Sequence, residues 1–470
     1  MADSSGSRAG DVRPPVLEGS DKSMAAVDEM TDLRDLPHVP LWSVLKDLSA
    51  LIWPGAGSSA LSKLGERVVV DMPLLPKLLF TSSTADARAL LIDTEDNFSF
   101  GQVLQRFTAH DVIFGLDSFL FLDGAEHRAE RKLASPPFHG RAVKSNEDLI
   151  AAVARHHIAG LPVGSPIEFL DVGHQLSLDV LMAVVFGVDE SERNGRLRQA
   201  IRGWLEAVES PAFHGFSALG VFTGGHALPY LPVERSASLV DKLLVEEIGK
   251  RRPGGGISGG DNSGGAIMHM MQANAERETP KDDAGLAREV RGIFFAGYAT
   301  TAVTLAWIAE FVSHSPRVLG ELQLSIDSGD DSYLDAVIYE VMRLRPAVPV
   351  TGRRALRDTA LNGIRIPKGT VVVIPLLAVH ERSDVYDDPQ EFRPERFLEA
   401  RPGTYTWLTF GAGAHRCLGA GLATLELRVI VRTLLQHRTF ELSPGSPASP
   451  KLIHPVLAPV NGAKVVLQRR

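Results

Sequence analysis

The stretch Phe410–Gly419 reads FGAGAHRCLG and holds the only cysteine of a 470-residue chain. A lone cysteine is by default a small, buried hydrophobe, but the surroundings of this one argue for chemistry. Gly411, Gly413 and Gly419 permit a tight turn and the close approach of a flat neighbour. The run that follows, LGAGLATLELRVIVRTLLQHR, has the apolar periodicity of a long helix. That puts Cys417 at a helix start, where the dipole and free N–H groups favour a thiolate. His415 and Arg416 add positive charge.

A thiolate so held suits a soft metal or a nucleophile. Structural zinc is disfavoured because no second cysteine exists to complete a common ligand set. A cysteine nucleophile needs a histidine base at hydrogen-bond distance, and His415, two residues away on a turn, is poorly placed for that. What remains is one axial thiolate on a haem iron. Phe410, Gly413, Cys417 and Gly419 match the F-x-x-G-x-x-x-C-x-G signature, and the chain resembles the cytochrome P-450 family, soluble bacterial type, over roughly residues 37–470.

Composition agrees. The chain is 44% hydrophobic and 23% charged, as expected of a globular protein with ample core. A net charge of -8 argues against a nucleic-acid binder. One cysteine excludes an intrachain disulfide and fits a reducing cytoplasm. Met1–Asp35 is polar and acidic, unlike a secretory signal, and residues 1–36 read as a disordered tail before a single domain, 37–470. LWSVLKDLSALIW, Leu41–Trp53, is too short to span a bilayer and carries Lys46 and Asp47, so it reads as a helix packed on the body and no transmembrane segment is expected. ERVVVDMPLLPKLLFTSS reads as a hairpin. Ala85–Ala355 is mainly helical, broken by a glycine-rich loop at Arg251–Gly265. GIRIPKGTVVVIPLLAVH returns to strand patterning, and short strands close the chain. The expected fold is mainly α with small antiparallel β-sheets, the cytochrome P-450 fold.

Further motifs carry the resemblance. In YEVMRLRP, Glu340 and Arg343 are three apart on one helix face among apolar neighbours, similar to the family's E-x-x-R. FRPERF resembles its P-E-R-F segment, and the resemblance joins Arg396 to Glu340 and Arg343 in a buried structural network. FFAGYATTAVTLAWIAEF, Phe294–Phe311, looks like the long helix over the haem. There Gly297 implies a close pass over the porphyrin and an opened groove, and Thr300 matches the threonine that stands beside dioxygen. Read alone, Thr300 is a β-branched residue bonding back to its own helix. Ala299 departs from the family, which usually has a proton-feeding Asp or Glu there. A water chain or another group, a substrate hydroxyl, or chemistry other than hydroxylation would each accommodate it. His127 and Arg131, four apart in DGAEHRAERKLASPPF, match the propionate-binding pair; Arg353, with Arg354 as its rival, and His415 match further haem contacts.

The resemblance implies haem b with an axial Cys417 thiolate, and insertion of one oxygen atom from O2 into a hydrophobic small molecule by hydroxylation or epoxidation, in secondary metabolism or lipid or terpenoid oxidation. It implies a monomer receiving electrons from a separate ferredoxin and its NAD(P)H-dependent reductase, steered by a basic surface near Arg128, Lys132 and Arg416. Substrate contacts are expected at Phe294, Phe295, Tyr298, Val348 and Val350, and in the 101–122 and 213–231 connections. The rival readings are a peroxide-driven or otherwise non-hydroxylating haem-thiolate enzyme, and a non-catalytic haem or ligand sensor.

Overall fold

The computed structural model describes residues 30–39, 65–71, 76–93, 96–107, 113–115, 118–187, 195–222, 230–252, 265–401, 403–453 and 455–470. The expected Leu41–Trp53 helix and most of the glycine-rich loop, 253–264, lie outside them.

The principal helices are α1 (Thr84–Ile92), α2 (Gly124–Ala134), α3 (Glu147–Gly160), α4 (Phe169–Phe186), α5 (Gly195–Val208), α6 (Leu231–Arg251), α7 (Asp283–Ser313), α8 (Ser332–Leu344) and α9 (Ala420–His437). The 31-residue α7 runs through the middle and is apolar nearly all round, the mark of a helix buried by its neighbours. Asp282 caps it, accepting from the Gly285 N–H at 2.7 Å. Two apolar clusters divide along it. One gathers α3, α8, α9 and the second half of α7 around Trp307. The other gathers α4, α5, α6 and the first half of α7 around Trp204, Phe294 and Phe295. Both α4 and α7 are long and apolar enough to cross a membrane, and most of each is instead covered by protein.

The strands are β1 (His38–Val39), β2 (Arg67–Val70), β3 (Leu78–Thr81), β4 (Phe98–Ser99), β5 (Pro166–Glu168), β6 (Val350–Ala355), β7 (Thr359–Leu361), β8 (Ile364–Ile366), β9 (Val371–Pro375), β10 (Arg438–Phe440), β11 (Pro450–Ile453), β12 (Val456–Pro459) and β13 (Lys464–Arg469). The hairpin expected in ERVVVDMPLLPKLLFTSS forms, with Val68 opposite Phe80 and Val69 opposite Leu79. The largest sheet, ordered β1-β2-β3-β9-β6-β4, corrects one expectation. It is mixed, because β1 and β2 run parallel, as do β3 and β9. A parallel partner needs a long crossover, and nearly all the helices lie between β3 and β9, a connection that local pattern cannot reveal.

The tail boundary is corrected too. Leu33 is buried beside Leu361 and Ile364. The Thr31 N–H donates to Gly363 O at 2.9 Å, and the Arg365 N–H donates to Thr31 O at 3.0 Å. Residues 30–36 therefore belong to the folded body. Polar composition concealed a segment held by backbone pairing and one apolar anchor.

Candidate active site

The cysteine turn is suspended from elements behind it. The Cys417 N–H donates to Phe410 O at 2.8 Å and the Gly411 N–H to Leu408 O at 2.7 Å. Gly413 has φ +68°, and a Cβ there would lie 1.8 Å from the Leu91 carbonyl oxygen at the end of α1, so only glycine fits. Thr409 Oγ1 donates to Met342 O at 3.0 Å and Trp407 Nε1 to Tyr339 O at 3.2 Å, hanging the approach to the turn from α8. Phe410 meets the Trp407 ring edge-on at 5.7 Å. His380, fully buried, bridges the rest. Its Nδ1 donates to Arg343 O at 2.9 Å and its Nε2 accepts from the Leu408 N–H at 2.8 Å. Burial pushes its pKa down to about 3, fixing the neutral ring that this pair of bonds requires.

Cys417 stands three residues before α9, with Gly419 as the N-cap. Without a metal the surroundings push the Cys417 thiol up, while the Gly419 N–H, Arg416 and Arg131 favour the anion; the expected thiolate is the metal-bound form, since a bound metal deprotonates a coordinating cysteine outright. The side chain is exposed.

Glu340 and Arg343 are fully buried and joined twice, at 2.7 and 2.8 Å. Arg396 Nε reaches the same carboxylate at 3.0 Å, as does the Arg393 N–H. Both arginines spend their remaining donors on carbonyls: His380, Pro389 and Glu391 for Arg343, Asp387 and Asp388 for Arg396. A buried charge cluster survives because each member is satisfied. Its effect is to clamp the 380–396 segment against α8.

A second cluster has the opposite character. His127 and Arg131 project from α2, Arg353 from β6 and His415 from the cysteine turn. The His127 and His415 rings stack at 3.9 Å, His415 lies 4.8 Å from the Phe100 ring, and the Arg353 guanidinium also sits over Phe100, 4.7 Å from its centre. Among the described residues Arg353 bonds to near neighbours, Gly352 O at 2.8 Å and Thr351 Oγ1 at 3.4 Å. Burial pushes its pKa down to about 10, that of His127 down to about 4, and that of Arg131 down as well. His127 Nδ1 is buried without a partner among the described residues. The nearby carboxylate, Asp123, lies 3.3 Å from His415 Nε2 and also accepts from Ser99 and the Phe100 N–H. The buried Arg353 cation calls for an anion, and the histidines beside it offer further hydrogen-bond donors. The two carboxylates of a haem match that demand, and the donor set around Cys417 fits the group. The rival Arg354 is half-buried and donates to Gln102 at 3.2 Å.

The third component is α7. Along this buried helix Ile293, Ala296, Gly297 and Thr300 escape full burial. Their i, i+3, i+4, i+7 spacing makes them one face. Thr300 Oγ1 donates to Ala296 O at 2.8 Å, so the back-bonded geometry holds and the hydroxyl offers its lone pairs to that face. A Cβ at Gly297 would press on Leu181 of α4, 3.0 Å away, so this glycine lets α4 pack close. One expectation is corrected. Phe294, Phe295 and Tyr298 are core residues: Phe294 stacks on Phe186, Phe295 meets Phe114 edge-on, and Tyr298 stacks on His174. The aromatic side chains pack inward, and the open face belongs to the small residues between them. Val348 is exposed, Val350 half-buried on β6, and Ala299 buried.

Sequence reasoning missed Phe100, Asp123, His380 and Ala296. The spacing from Gly297 and Thr300 identifies Ala296; the others act through partners far away in the chain and leave no local signal.

A profile of the Cytochrome P-450 family matches residues 76–467. Cytochrome P-450 137 of Mycobacterium tuberculosis is 31% identical over 357 residues, covering 75% of this chain and 73% of that protein. Cytochrome P-450 138 of Mycobacterium bovis is 28% identical over 413 residues, covering 86% and 87%. Among solved structures, retinoic acid-bound cyanobacterial CYP120A1 superposes with a TM-score of 0.76 at 20% identity, covering 93% of this chain and 99% of that one. CYP175A1 of a Thermus strain gives a TM-score of 0.71 at 20% identity, with 92% and 100% covered. With this fold and this profile, the chain belongs to the cytochrome P-450 family of haem-thiolate monooxygenases.

Proposed function

We propose that this enzyme inserts one atom of dioxygen into a hydrophobic small molecule, with Cys417 as the axial ligand of haem b. The observation that carries the reading is the cluster of buried His127 and Arg353 and half-buried Arg131 and His415 around the turn of the chain's only cysteine. The family's axial ligand is a cysteine, and this chain has one to offer. Haem, when bound, supplies the oxygen-activating chemistry. The protein's part is to hold and to aim. His127, Arg131, Arg353 and His415 bind the propionates. The 407–411 hydrogen bonds fix the sulfur. Thr300 accepts a hydrogen bond on the open face of α7, and Ile293 and Ala296 keep that face apolar and water-poor.

A hydrophobic substrate suits that face, and a structural relative was solved with retinoic acid. Hydroxylation of a lipid, terpenoid or polyketide skeleton is the reaction we assign. Electrons come from a separate ferredoxin system in the cytoplasm. Its docking site is the surface bearing the exposed Arg128, Lys132 and Arg416. Titrating the haem-loaded protein with fatty acids, terpenes and polyketides tests the reading, because a ligand displacing water from iron shifts the haem absorption band. Turnover with NAD(P)H, ferredoxin and reductase confirms it. Turnover with peroxide alone points to the peroxygenase alternative that Ala299 keeps in view, and well-folded protein unable to take up haem overturns the assignment of Cys417.

A further inference from the structure

A further ionised cluster fastens α2 to α7. Glu130 lies on α2, three residues after His127 and next to Arg131. Arg277 Nη1 donates to its carboxylate at 2.6 Å, and Arg277 Nη2 pairs with the other oxygen. Lys281 Nζ lies 3.7 Å from Glu130 and donates to Glu289 of α7 at 2.5 Å. The backbone of Lys281 is itself fixed: its N–H donates to Asn274 Oδ1 and its carbonyl accepts from Asn274 Nδ2, both at 2.9 Å. Glu289 is buried and the other three members are half-buried.

Glu289 also holds the chain just ahead of α2. Its Oε1 accepts from the Phe119 N–H at 3.1 Å and its Oε2 from the Ser118 hydroxyl at 3.2 Å. Ser118 opens the short helical turn Phe119–Phe121. The far end of that turn sits against Gly101, where a Cβ would lie 2.1 Å from Phe121 O. Two residues later α2 begins, and the Phe119 ring stacks over that of His127 at 6.3 Å. The carboxylate of Glu289 thus reaches α2 twice, before its first residue through Phe119 and past its middle through Lys281 and Glu130.

We propose that Glu289 is a positioning residue for haem binding, setting where α2 presents His127 and Arg131 to the propionates.

Glu289 lies one turn before Ile293, where the open face of α7 begins. It therefore fixes the propionate-binding helix relative to the helix whose open face receives the substrate. Burial pushes its carboxyl up, and Lys281, the Phe119 N–H and the Ser118 hydroxyl pull it back. A buried carboxylate of this kind costs more than an apolar side chain would on an otherwise apolar helix, and what it provides is a defined geometry. Two acids balance two bases, so the link adds no net charge beside the propionates.

The role rests on the reading of His127 and Arg131 as propionate ligands, and one set of variants tests the two separately. The haem-loaded protein is compared with Glu289→Leu, Glu289→Gln, Arg277→Gln, Arg353→Leu and, as a control, Val240→Ala, which opens a cavity in the buried α6 cluster away from these contacts. Haem transfer to an acceptor protein and the propionate bending band in the resonance Raman spectrum are measured, neither of which needs turnover. Glu289→Leu should speed haem transfer about 10-fold or more, as for loss of charge-assisted bonds, and should shift the propionate band. Glu289→Gln, whose amide still accepts from the Phe119 N–H and donates to Ser118 Oγ, should restore most of the band and stay within about 3-fold of wild type. Arg277→Gln, altered only at the half-buried α2 end, should shift the band in the same direction, and it carries the test should Glu289→Leu not fold. Val240→Ala should lose stability with the band in place. Glu289 and Arg277 variants that release haem no faster than Val240→Ala, with an unshifted band, overturn the positioning role while a shift in Arg353→Leu upholds the propionate site. A band that Arg353→Leu also leaves unmoved overturns the propionate reading and this role with it.

Discussion

Around Cys417 the chain holds itself. His380, Trp407 and Thr409 are hydrogen-bonded to α8 or to the turn below it, and Glu340 with its two arginines is satisfied down to the last carbonyl. Along the open face of α7 there is much less. One hydroxyl is already bonded to its own helix, one glycine is occupied by Leu181, and position 299 is an alanine. The cysteine side is over-determined because a metal ligand must not move. The α7 side is left apolar and sparsely bonded.

The contrast can be broken in graded ways. Cys417→Ala should remove turnover below detection and abolish the thiolate-specific absorption band of the reduced carbon monoxide complex, while the clamp at Glu340 stays intact. Glu340→Ala should leave Arg343 and Arg396 buried without a counter-charge and cost roughly 3–5 kcal/mol; a denaturant midpoint measures it, and a near-neutral change would show that the clamp is not what holds the turn. Arg353→Leu should weaken haem retention by about 10-fold or more, the worth of a charge-assisted hydrogen bond of roughly 1.5–3 kcal/mol, read as the rate of haem transfer to an acceptor protein. Thr300→Val should leave the fold unchanged and lower product formed per NAD(P)H by about 3- to 10-fold, as expected of one hydrogen bond of about 1 kcal/mol.

The smallest effect is a slope. His380 and His127 are neutral in the fold, with pKa values pushed down to about 3 and about 4 by burial. The unfolded chain therefore binds more protons below its ordinary histidine pKa of about 6.5, and stability is lost as pH falls from there toward the folded values. Each such histidine contributes about 1.4 kcal/mol per pH unit within that window. His380→Gln, which keeps a donor and an acceptor, should remove one proton from the slope and leave stability at pH 8 little changed.

Much of this was legible in the chain. Spacing alone placed Glu340 beside Arg343 and His127 above Arg131, because residues three or four apart share a helix face. The glycines of FGAGAHRCLG announced a turn that no other residue could make, and the Leu91 carbonyl shows why at Gly413. Illegible were the partners supplied from afar: Asp123 for His415, the Leu408 N–H for His380, Leu181 for Gly297. The aromatic run Phe294–Tyr298 misled, since an all-apolar helix does not declare which side meets protein and which a cavity.

By itself, then, the sequence determined the family, the ligand cysteine, and the charged pairs whose members lie within one turn of helix. Tertiary structure alone decided which face of α7 is open and that β3 pairs with a strand far along the chain. Local geometry is written in spacing, because a helix repeats every few residues. Burial and long-range pairing are properties of packed elements, and a side chain's charge, accessibility and proton depend on neighbours that only the folded chain brings to it.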